Sequence, residues 1–321
     1  MHNLLRYYRQ NRKQIWIAVL FIAMILIGIQ LLNRYTINQS NAEMGKLDSG
    51  NSIKDTVSTK YTDPVISSGS MPEAQAKDNK NIIDTFVDYC NNGKTEDAYN
   101  ILTDECKQMN YPVLQNFIDN YYKRIFTGTK TCDMQSWVND GNFSTYKVTF
   151  MGDMMSTGKV DNGNGINDYI TIVKMPDGKL ELNINGYIGR KEINKEYKDS
   201  KLDIKVINKD IFMNYEVYNF EIKNTSDKTI LLDNKKDVNS VYLGDDHDLK
   251  YTARMYEVAD SLITFEKDFT RSLSIKFDKV YGAQRNIQNI NFTKIIMDYE
   301  GYLGTDNIEN FKDTESVCIK L

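Results

Sequence analysis

The feature that most constrains this chain is an unbroken apolar run near its N-terminus, IWIAVLFIAMILIGIQLL over residues 15–32. The run contains no charged side chain, and Gln30 is its most polar member. A helix rises about 1.5 Å per residue, so this segment would span about 27 Å, close to the hydrocarbon thickness of a bilayer. The pattern predicts a single transmembrane helix over 15–32 that contacts membrane lipid.

The charges that flank this run predict its orientation. Four basic residues and no acidic residue precede it within 1–14, whereas Arg34 alone follows closely. The positive-inside rule then places the tail 1–14 in the cytoplasm and the rest of the chain outside the cell. A signal peptide cleaved at the small residues 40–42 is the alternative, and it also places the bulk of the chain outside.

The overall charge argues against nucleic acid as a direct partner. The chain has 40 basic and 44 acidic residues, and residues 1–34 hold five of the basic ones and none of the acidic ones. The remainder therefore carries a net charge of −9. Binding to phosphate backbones needs a basic face, which this acidic region does not predict.

Hydrophobic periodicity divides the chain after the apolar run. Residues 33–77 show no apolar period and are rich in Ser, Asn, Asp, Gly and Lys, which predicts a flexible extracellular linker. Residues 78–195 begin with three helical stripes, of which the third starts near Pro112 and has Phe117 at its centre. The period of the apolar residues then changes to 2, which is typical of strands, and Pro176-Asp177-Gly178 predicts a hairpin turn between two of them. We therefore expect an α+β domain with three helices on a curved antiparallel sheet.

The last third of the chain has the pattern of an all-β domain. The charged stretch 192–200 suggests a short linker, after which helical periodicity largely disappears. Leu202, Ile204 and Val206 alternate with polar residues, and about seven such short runs follow within residues 200–321. This spacing predicts an immunoglobulin-like β-sandwich.

Three stretches of the α+β region carry a family resemblance: DTFVDYCNNGKTEDAYNILTDECK, YPVLQNFIDNYY and DYITIVKMPDGKLELNINGYIG. With the helix-then-strand order, they resemble the nuclear-transport-factor-two-like fold. A membrane-anchored extracellular form of that fold is similar to TcpC-like, type IV secretion conjugation proteins of Gram-positive mobile elements. The stretches NYEVYNFEIKNTSDKTILL and RSLSIKF are similar to immunoglobulin-like modules of Gram-positive surface proteins. These resemblances imply a scaffold role and carry no catalytic residue onto this chain.

Two clusters could pass for metal sites. Residues 245–248 read Asp-Asp-His-Asp, but a zinc site needs three or four converging ligands, so a solvated loop is the favoured interpretation. Residues 161–168 invite a calcium-loop interpretation, yet glycines occupy loop positions 3 and 5, which favours a hairpin loop. We therefore assign no catalytic, cofactor-binding or metal residue.

The four cysteines are expected to be free thiols. Cys90 and Cys106 would end successive antiparallel helices, too far apart for the Cα separation of a disulfide. Cys132 and Cys318 show no paired spacing with them, although an even number of cysteines outside the cytoplasm leaves disulfides open.

The leading functional hypothesis is a non-enzymatic, single-pass membrane protein without cofactor. Its extracellular domains would act as a protein–protein scaffold in a cell-envelope complex, a conjugation or type IV secretion channel, bound to other envelope proteins. Association of several copies is left open. The alternative is an extracellular small-ligand receptor or sensor that uses a cavity lined by Phe86, Tyr121 and Tyr122, which otherwise fill the core. A third possibility, a cavity enzyme, requires a buried carboxylate or histidine.

Overall fold

The structure is a computed structural model, and residues 55–321 group as one compact unit in it. The predicted tail 1–14, the predicted transmembrane helix 15–32 and most of the predicted linker 33–77 lie outside the described residues. The structure describes residues 57–60, 72–139, 143–152, 165–279, 285–305 and 311–321.

Helices are concentrated between residues 73 and 125, where the sequence has its apolar stripes. In the first helix Ile83, Phe86 and Val87 are fully buried, as the stripe predicts. The chain leaves this helix through Gly93, whose φ of 70° lies in the left-handed region that glycine enters without strain. The helices are α1 (Glu73–Asn91), α2 (Thr95–Asn100), α3 (Asp104–Asn110), α4 (Leu114–Phe117), a π-helical turn (Ile118–Tyr122) and α5 (Lys123–Ile125).

Strands make up most of the remaining regular structure. They are interrupted by a 3-10 turn (Met255–Glu257) and by the short helices α6 (Asp260–Ile263) and α7 (Tyr299–Leu303). The strands in chain order are β1 (Val57–Lys60), β2 (Lys130–Asn139), β3 (Phe143–Gly152), β4 (Ile166–Lys174), β5 (Leu180–Asn183), β6 (Tyr187–Lys198), β7 (Leu202–Phe212), β8 (Tyr215–Asn224), β9 (Ile230–Leu231), β10 (Val241–Asp245), β11 (Lys250–Thr252), β12 (Thr264–Phe265), β13 (Thr270–Asp278), β14 (Ile287–Ile296) and β15 (Thr314–Lys320).

The strands form three sheets. The first has the order β1-β2-β3-β4-β5 and is antiparallel except that β1 runs parallel to β2. The second has the order β13-β8-β7-β6, and the third has the order β11-β10-β14-β9-β12, with β15 also paired to β14. All pairs in the second and third sheets are antiparallel.

Two large hydrophobic cores and a small third cluster of Val138, Ile188 and Met213 hold these layers together in the described residues. The first core lies between the helices and the first sheet, and also includes Tyr187, Phe212 and Val217 from the second sheet. The second core lies between the second and third sheets and includes Val206 and Phe220. The second sheet therefore contributes side chains to both cores.

A β-bulge at Ile207 explains how one strand serves two cores. Val206 is opposite Phe220, but the next paired residue, Asn208, is opposite Asn219, so Ile207 has no partner. Residues opposite each other in antiparallel strands share a face, and successive residues alternate faces. Because of the extra residue, Phe212 projects from the opposite face of the sheet to Val206. The bulge thus reverses which face of β7 is buried.

The predicted fold class is wrong and is corrected as follows. The described residues are mostly antiparallel strands in three sheets with few helices, instead of a transmembrane helix, an α+β domain and an immunoglobulin-like sandwich in succession. The physical reason is that the second sheet contributes to both cores, so the helix-bearing part and the strand-only part share one layer. No helix among the described residues is long and apolar enough to cross a membrane, and the transmembrane prediction gains no support.

Both predicted linkers contain regular structure. Residues 57–60 pair with β2, and α1 begins at Glu73, within the predicted linker 33–77. The charged stretch 192–200 is largely strand, because β6 continues to Lys198 beside β7. Most residues of β6 after Arg190 are exposed, since β6 is an edge strand of its sheet, and the sequence there resembles a solvated linker. Whether 78–195 and 200–321 fold independently stays a prediction.

Candidate functional site

The space between the helices and the first sheet is occupied by aromatic side chains. Phe86, Phe117 and Tyr121 are fully buried, and the ring of Phe117 lies 5.7 Å from that of Tyr121 and 6.4 Å from that of Phe86. The ring of Tyr111 lies 5.8 Å from that of Phe117. Ring centroids at these distances are in favourable aromatic contact. Phe86 and Tyr121 thus pack against other side chains in this core, and Tyr122 lies half-buried beside them.

A carboxylate is nevertheless buried in this core. Asp168 on β4 is 8% exposed, and its Oδ2 accepts hydrogen bonds from Tyr121 Oη at 2.8 Å and Asn185 N at 3.0 Å. Its Oδ1 accepts from Tyr169 N at 2.7 Å. Burial raises the pKa of Asp168, while these hydrogen bonds oppose the rise. A general base needs an open approach to its oxygens, and here three donors and burial restrict that approach.

Further polar groups lie close to this carboxylate. Tyr111 is 2% exposed, and its hydroxyl has no hydrogen-bond partner among the described residues. Burial, Cys106 and Asp168 all raise the pKa of Tyr111. The amide nitrogen of Asn110 is also buried without a partner among the described residues. An unpaired buried hydroxyl and amide are costly, so this part of the core is polar and incompletely satisfied.

Asp168 is a buried residue that the sequence pattern did not single out as a functional candidate. It was considered as the last position of the candidate calcium loop 161–168, of which residues 161–164 lie outside the described chain. A usable signal was present, because Ile170 and Ile172 are inward-facing positions of β4 and a strand has a period of 2. The same parity places Asp168 on the inward face.

A groove opens where the start of α1 meets the first sheet. It has a volume of about 480 Å³. Gln75 Nε2 donates to Ser144 Oγ at 3.5 Å, and the buried Asn79 donates to Tyr146 Oη at 2.9 Å. Its lining is mixed in charge and polarity and consists of Pro72, Ala74, Gln75, Asp78, Asn79, Ser144, Ile172, Lys174, Gly178 and Leu180.

A second groove, the Val238 groove, lies on the third sheet. It has a volume of about 530 Å³. Tyr302 and Phe311 form an edge-to-face pair with centroids 5.5 Å apart, and Lys294 Nζ lies 3.0 Å from Asp237 Oδ2. The groove is lined by Asn234, Lys236, Asp237, Val238, Lys294, Ile296, Tyr302, Phe311 and Thr314.

Exposed apolar side chains are unevenly distributed over the described residues. Val238 at the groove is 77% exposed, and Leu303, next to the groove residue Tyr302, is 65% exposed. Only Val113 and Met151 among the large exposed apolar side chains belong to the helix-bearing part. The others lie beyond residue 200: Val238, Leu249, Tyr256, Leu262, Phe269 and Leu303. Val238 and Leu303 therefore expose apolar surface at and beside the groove, a feature of interaction sites.

The Asp-Asp-His cluster has the geometry of a loop cap. Ligand atoms of Asp245, Asp246 and His247 lie within 4.8 Å of one another, which would admit a cation by distance alone. Asp245, however, accepts hydrogen bonds from the backbone N–H groups of His247 and Leu249 and from Tyr251 Oη. These bonds close the loop between β10 and β11, and His247 and Asp246 are exposed. The arrangement agrees with the solvated-loop interpretation.

The cysteines are free thiols, as the spacing predicts. Cys90, Cys106 and Cys132 are buried, whereas Cys318 on β15 is exposed. Burial raises the pKa of all three buried thiols, that of Cys106 to about 12, so they are protonated and unreactive at neutral pH.

Comparison with protein-family models, with curated proteins and with solved structures gives no match to this chain. The resemblance to nuclear-transport-factor-two-like and TcpC-like proteins therefore stays a prediction, and the conjugation and secretion roles gain no support.

Proposed function

We propose that this protein is a non-catalytic scaffold that binds another protein chain in the Val238 groove. The observation that carries the proposal is exposed apolar surface at this groove, where Val238 is 77% exposed and Leu303, next in sequence to the groove residue Tyr302, is 65% exposed. The hydrogen-bonded state of the buried carboxylate Asp168 is consistent with a non-catalytic role. An extracellular location and a place in a cell-envelope complex stay predictions.

The charges of the groove restrict its partner. Lys294 is paired with Asp237, but the ammonium of Lys236 has no carboxylate within ion-pair distance among the described residues. The partner that fits is a segment with an apolar side chain, to contact Val238 and the aromatic pair, next to an acidic residue facing Lys236. Such a segment would combine apolar burial with charge complementarity.

Site-specific photo-crosslinking in the source cells tests this proposal. A photoreactive residue at Val238 should yield an adduct of defined mass, whereas one at Val113, an exposed valine far from the groove in sequence, should not. The adduct should disappear when Lys236→Glu is added, because the substitution reverses the charge that faces the partner. Equal adducts at both positions, or an adduct insensitive to Lys236→Glu, would contradict the proposal.

A second candidate function, binding of a small polar ligand, is favoured by the groove at the start of α1. Its volume of about 480 Å³ falls in the range of ligand sites, and Gln75, Ser144 and Lys174 converge on it. A ligand that raises the thermal unfolding midpoint of the wild-type protein should no longer raise it in the Lys174→Ala variant. The same ligand should still raise the midpoint of the Lys179→Ala variant, which loses a charge on the neighbouring turn outside the groove.

A further inference from the structure

Two lysines converge on one buried carboxylate at the end of the second sheet. Glu216 on β8 is 1% exposed, and its Oε1 lies 2.9 Å from Lys209 Nζ and 2.8 Å from Lys279 Nζ. Both ammonium groups thus contact the same oxygen atom and lie no more than about 6 Å apart. The side chains of both lysines are about one-seventh exposed, at 14% and 15%.

A third lysine faces this pair across the neighbouring strand. Lys191 on β6 is directly opposite Lys209 on β7, and residues in this relation have Cβ atoms about 4.5–5.5 Å apart on the same face. Like charges in such positions destabilise a sheet. Lys191 has no carboxylate within ion-pair distance in the described part of the chain. Lys191 therefore adds a third ammonium group beside Lys209, which together with Lys279 contacts the carboxylate of Glu216.

The surroundings make this surplus charge costly. Burial lowers the pKa of Lys209, and Lys279 and Lys191 lower it further, although Glu216 opposes the shift. Lys209 also lies over the ring of Tyr218, with Nζ 5.4 Å from its centroid. A clamp between β7, β8 and the end of β13 uses both Lys209 and Lys279 on Glu216. Lys191 has no part in that clamp, and the three lysines exceed the one carboxylate in charge.

We infer that Lys191, Lys209 and Lys279 bind a phosphate group. Three cations and one carboxylate leave a surplus of two positive charges, and a phosphate carries close to two negative charges at neutral pH. A carboxylate ligand would neutralise only half of this surplus. Lysine acts as a point-charge donor with three N–H groups, so three lysines can contact a tetrahedral oxyanion from different directions. The inference does not depend on the Val238 groove.

Titration of the full-length chain with inorganic phosphate tests the inference. Binding should be saturable by calorimetry, and phosphate should raise the midpoint of thermal unfolding compared with chloride at the same ionic strength. O-phosphoserine serves as a second probe, because tighter binding than inorganic phosphate would identify a phosphate ester as the ligand class. Equal midpoints in phosphate and chloride would overturn the inference.

Lys191→Ala separates a built site from general screening. Lys191 is exposed and forms no ion pair with any residue that the structure describes, so the variant should fold. Its removal should weaken phosphate binding about five- to tenfold. Without phosphate, its thermal midpoint should equal or exceed that of wild type, because repulsion of Lys209 is relieved. The control is Lys205→Ala, an exposed lysine on the neighbouring strand β7, opposite Glu196 and Glu221. Equal weakening by both variants would mean non-specific binding and would refute the site.

Discussion

Substitution of Asp210 on β7 should be among the most destabilising single changes in the chain. Asp210 is fully buried, and Arg190 contacts it twice, from Nε to Oδ1 at 2.9 Å and from Nη2 to Oδ2 at 3.1 Å. Tyr187 Oη donates to Oδ1 at 2.8 Å, and Asn219 Nδ2 donates to Oδ2 at 2.7 Å. Both carboxylate oxygens are therefore fully engaged beside the bulge of β7.

The same network reaches from the helices to the edge of the second sheet. Arg190 Nη1 donates to Gln108 Oε1 on α3 at 2.9 Å, and Ser274 Oγ on β13 donates to Asn219 Oδ1 at 2.6 Å. The hydrogen bonds thus cross all four strands of that sheet at the level where the bulge reverses its buried face. We expect this network to fix how the two cores are joined.

The expected magnitude follows from the partners that would be left unpaired. Asp210→Ala leaves the guanidinium of Arg190, whose side chain is 19% exposed, without its carboxylate, and breaking a buried ion pair costs about 3–5 kcal/mol. A domain has about 5–15 kcal/mol of stability in total. The double variant Asp210→Ala with Arg190→Met should lose less than the sum of the single changes, because neither charge then remains buried alone.

Urea unfolding followed by far-ultraviolet circular dichroism and tyrosine fluorescence measures this effect. The matched control is Lys198→Ala, which removes an exposed ion pair to Asp203 on the same two strands and should cost under about 1 kcal/mol. If the two probes separate in Asp210→Ala but coincide in wild type, the network couples the cores. A loss below about 1 kcal/mol, or strict additivity in the double variant, would refute the reasoning.

Three further predictions concern the first core, acid stability and the thiols. Phe117→Ala should lower the free energy of unfolding in urea by about 3–5 kcal/mol, because it leaves a cavity among four aromatic rings. The control Asn120→Ala, at an exposed position, should lower it by under about 0.5 kcal/mol. Equal unfolding midpoints of the two variants would contradict this core. The pKa of Glu216 is lowered in the folded state, because two lysines outweigh the effect of burial. Its stabilising contribution is therefore present above its ordinary pKa of 4.5, and it is lost as the pH falls through the lowered pKa of the folded state. Glu216→Gln should therefore lie below wild type in stability at pH 7, with a gap that narrows below pH 4.5; a constant gap would argue against the ion pairs. A thiol reagent should label only Cys318 in the native chain and the other three cysteines only after unfolding, as mass mapping would show.

Local patterns predicted the elements that depend on neighbouring residues. The stripe of α1 and the Pro176-Asp177-Gly178 turn between β4 and β5 occur as expected, since helix period and turn chemistry act within a few residues. At the third stripe Phe117 is fully buried as expected, whereas the apolar Val113 is 56% exposed just before α4 begins. Asn116 Oδ1 accepts a hydrogen bond from Val113 N at 3.3 Å and so caps that helix.

The features that join the two cores could not be predicted in the same way. Leu202, Ile204 and Val206 occupy alternate positions of β7, and Asp210 continues the same alternation. An unbroken alternation predicts that one face of the strand is buried along its whole length. The extra residue at Ile207 reverses that face, and a bulge is visible only in the pairing with β8. Likewise, 82 residues separate Gln108 from Arg190, and no local period links them.

Carboxylates at buried strand positions indicate paired sites that the hydrophobic pattern alone does not predict. Asp168 lies between Ile166 and Ile170 on β4, and Asp210 occupies a buried position on β7. A carboxylate at such a position is costly unless it is paired. In one case three neutral donors engage the carboxylate, and in the other an arginine does. Glu216 is the third such residue, and it differs because its cationic partners outnumber it. Since pairing alone explains the first two carboxylates but leaves charge in excess at the third, the Glu216 cluster is where this chain is best suited to hold an anion from outside.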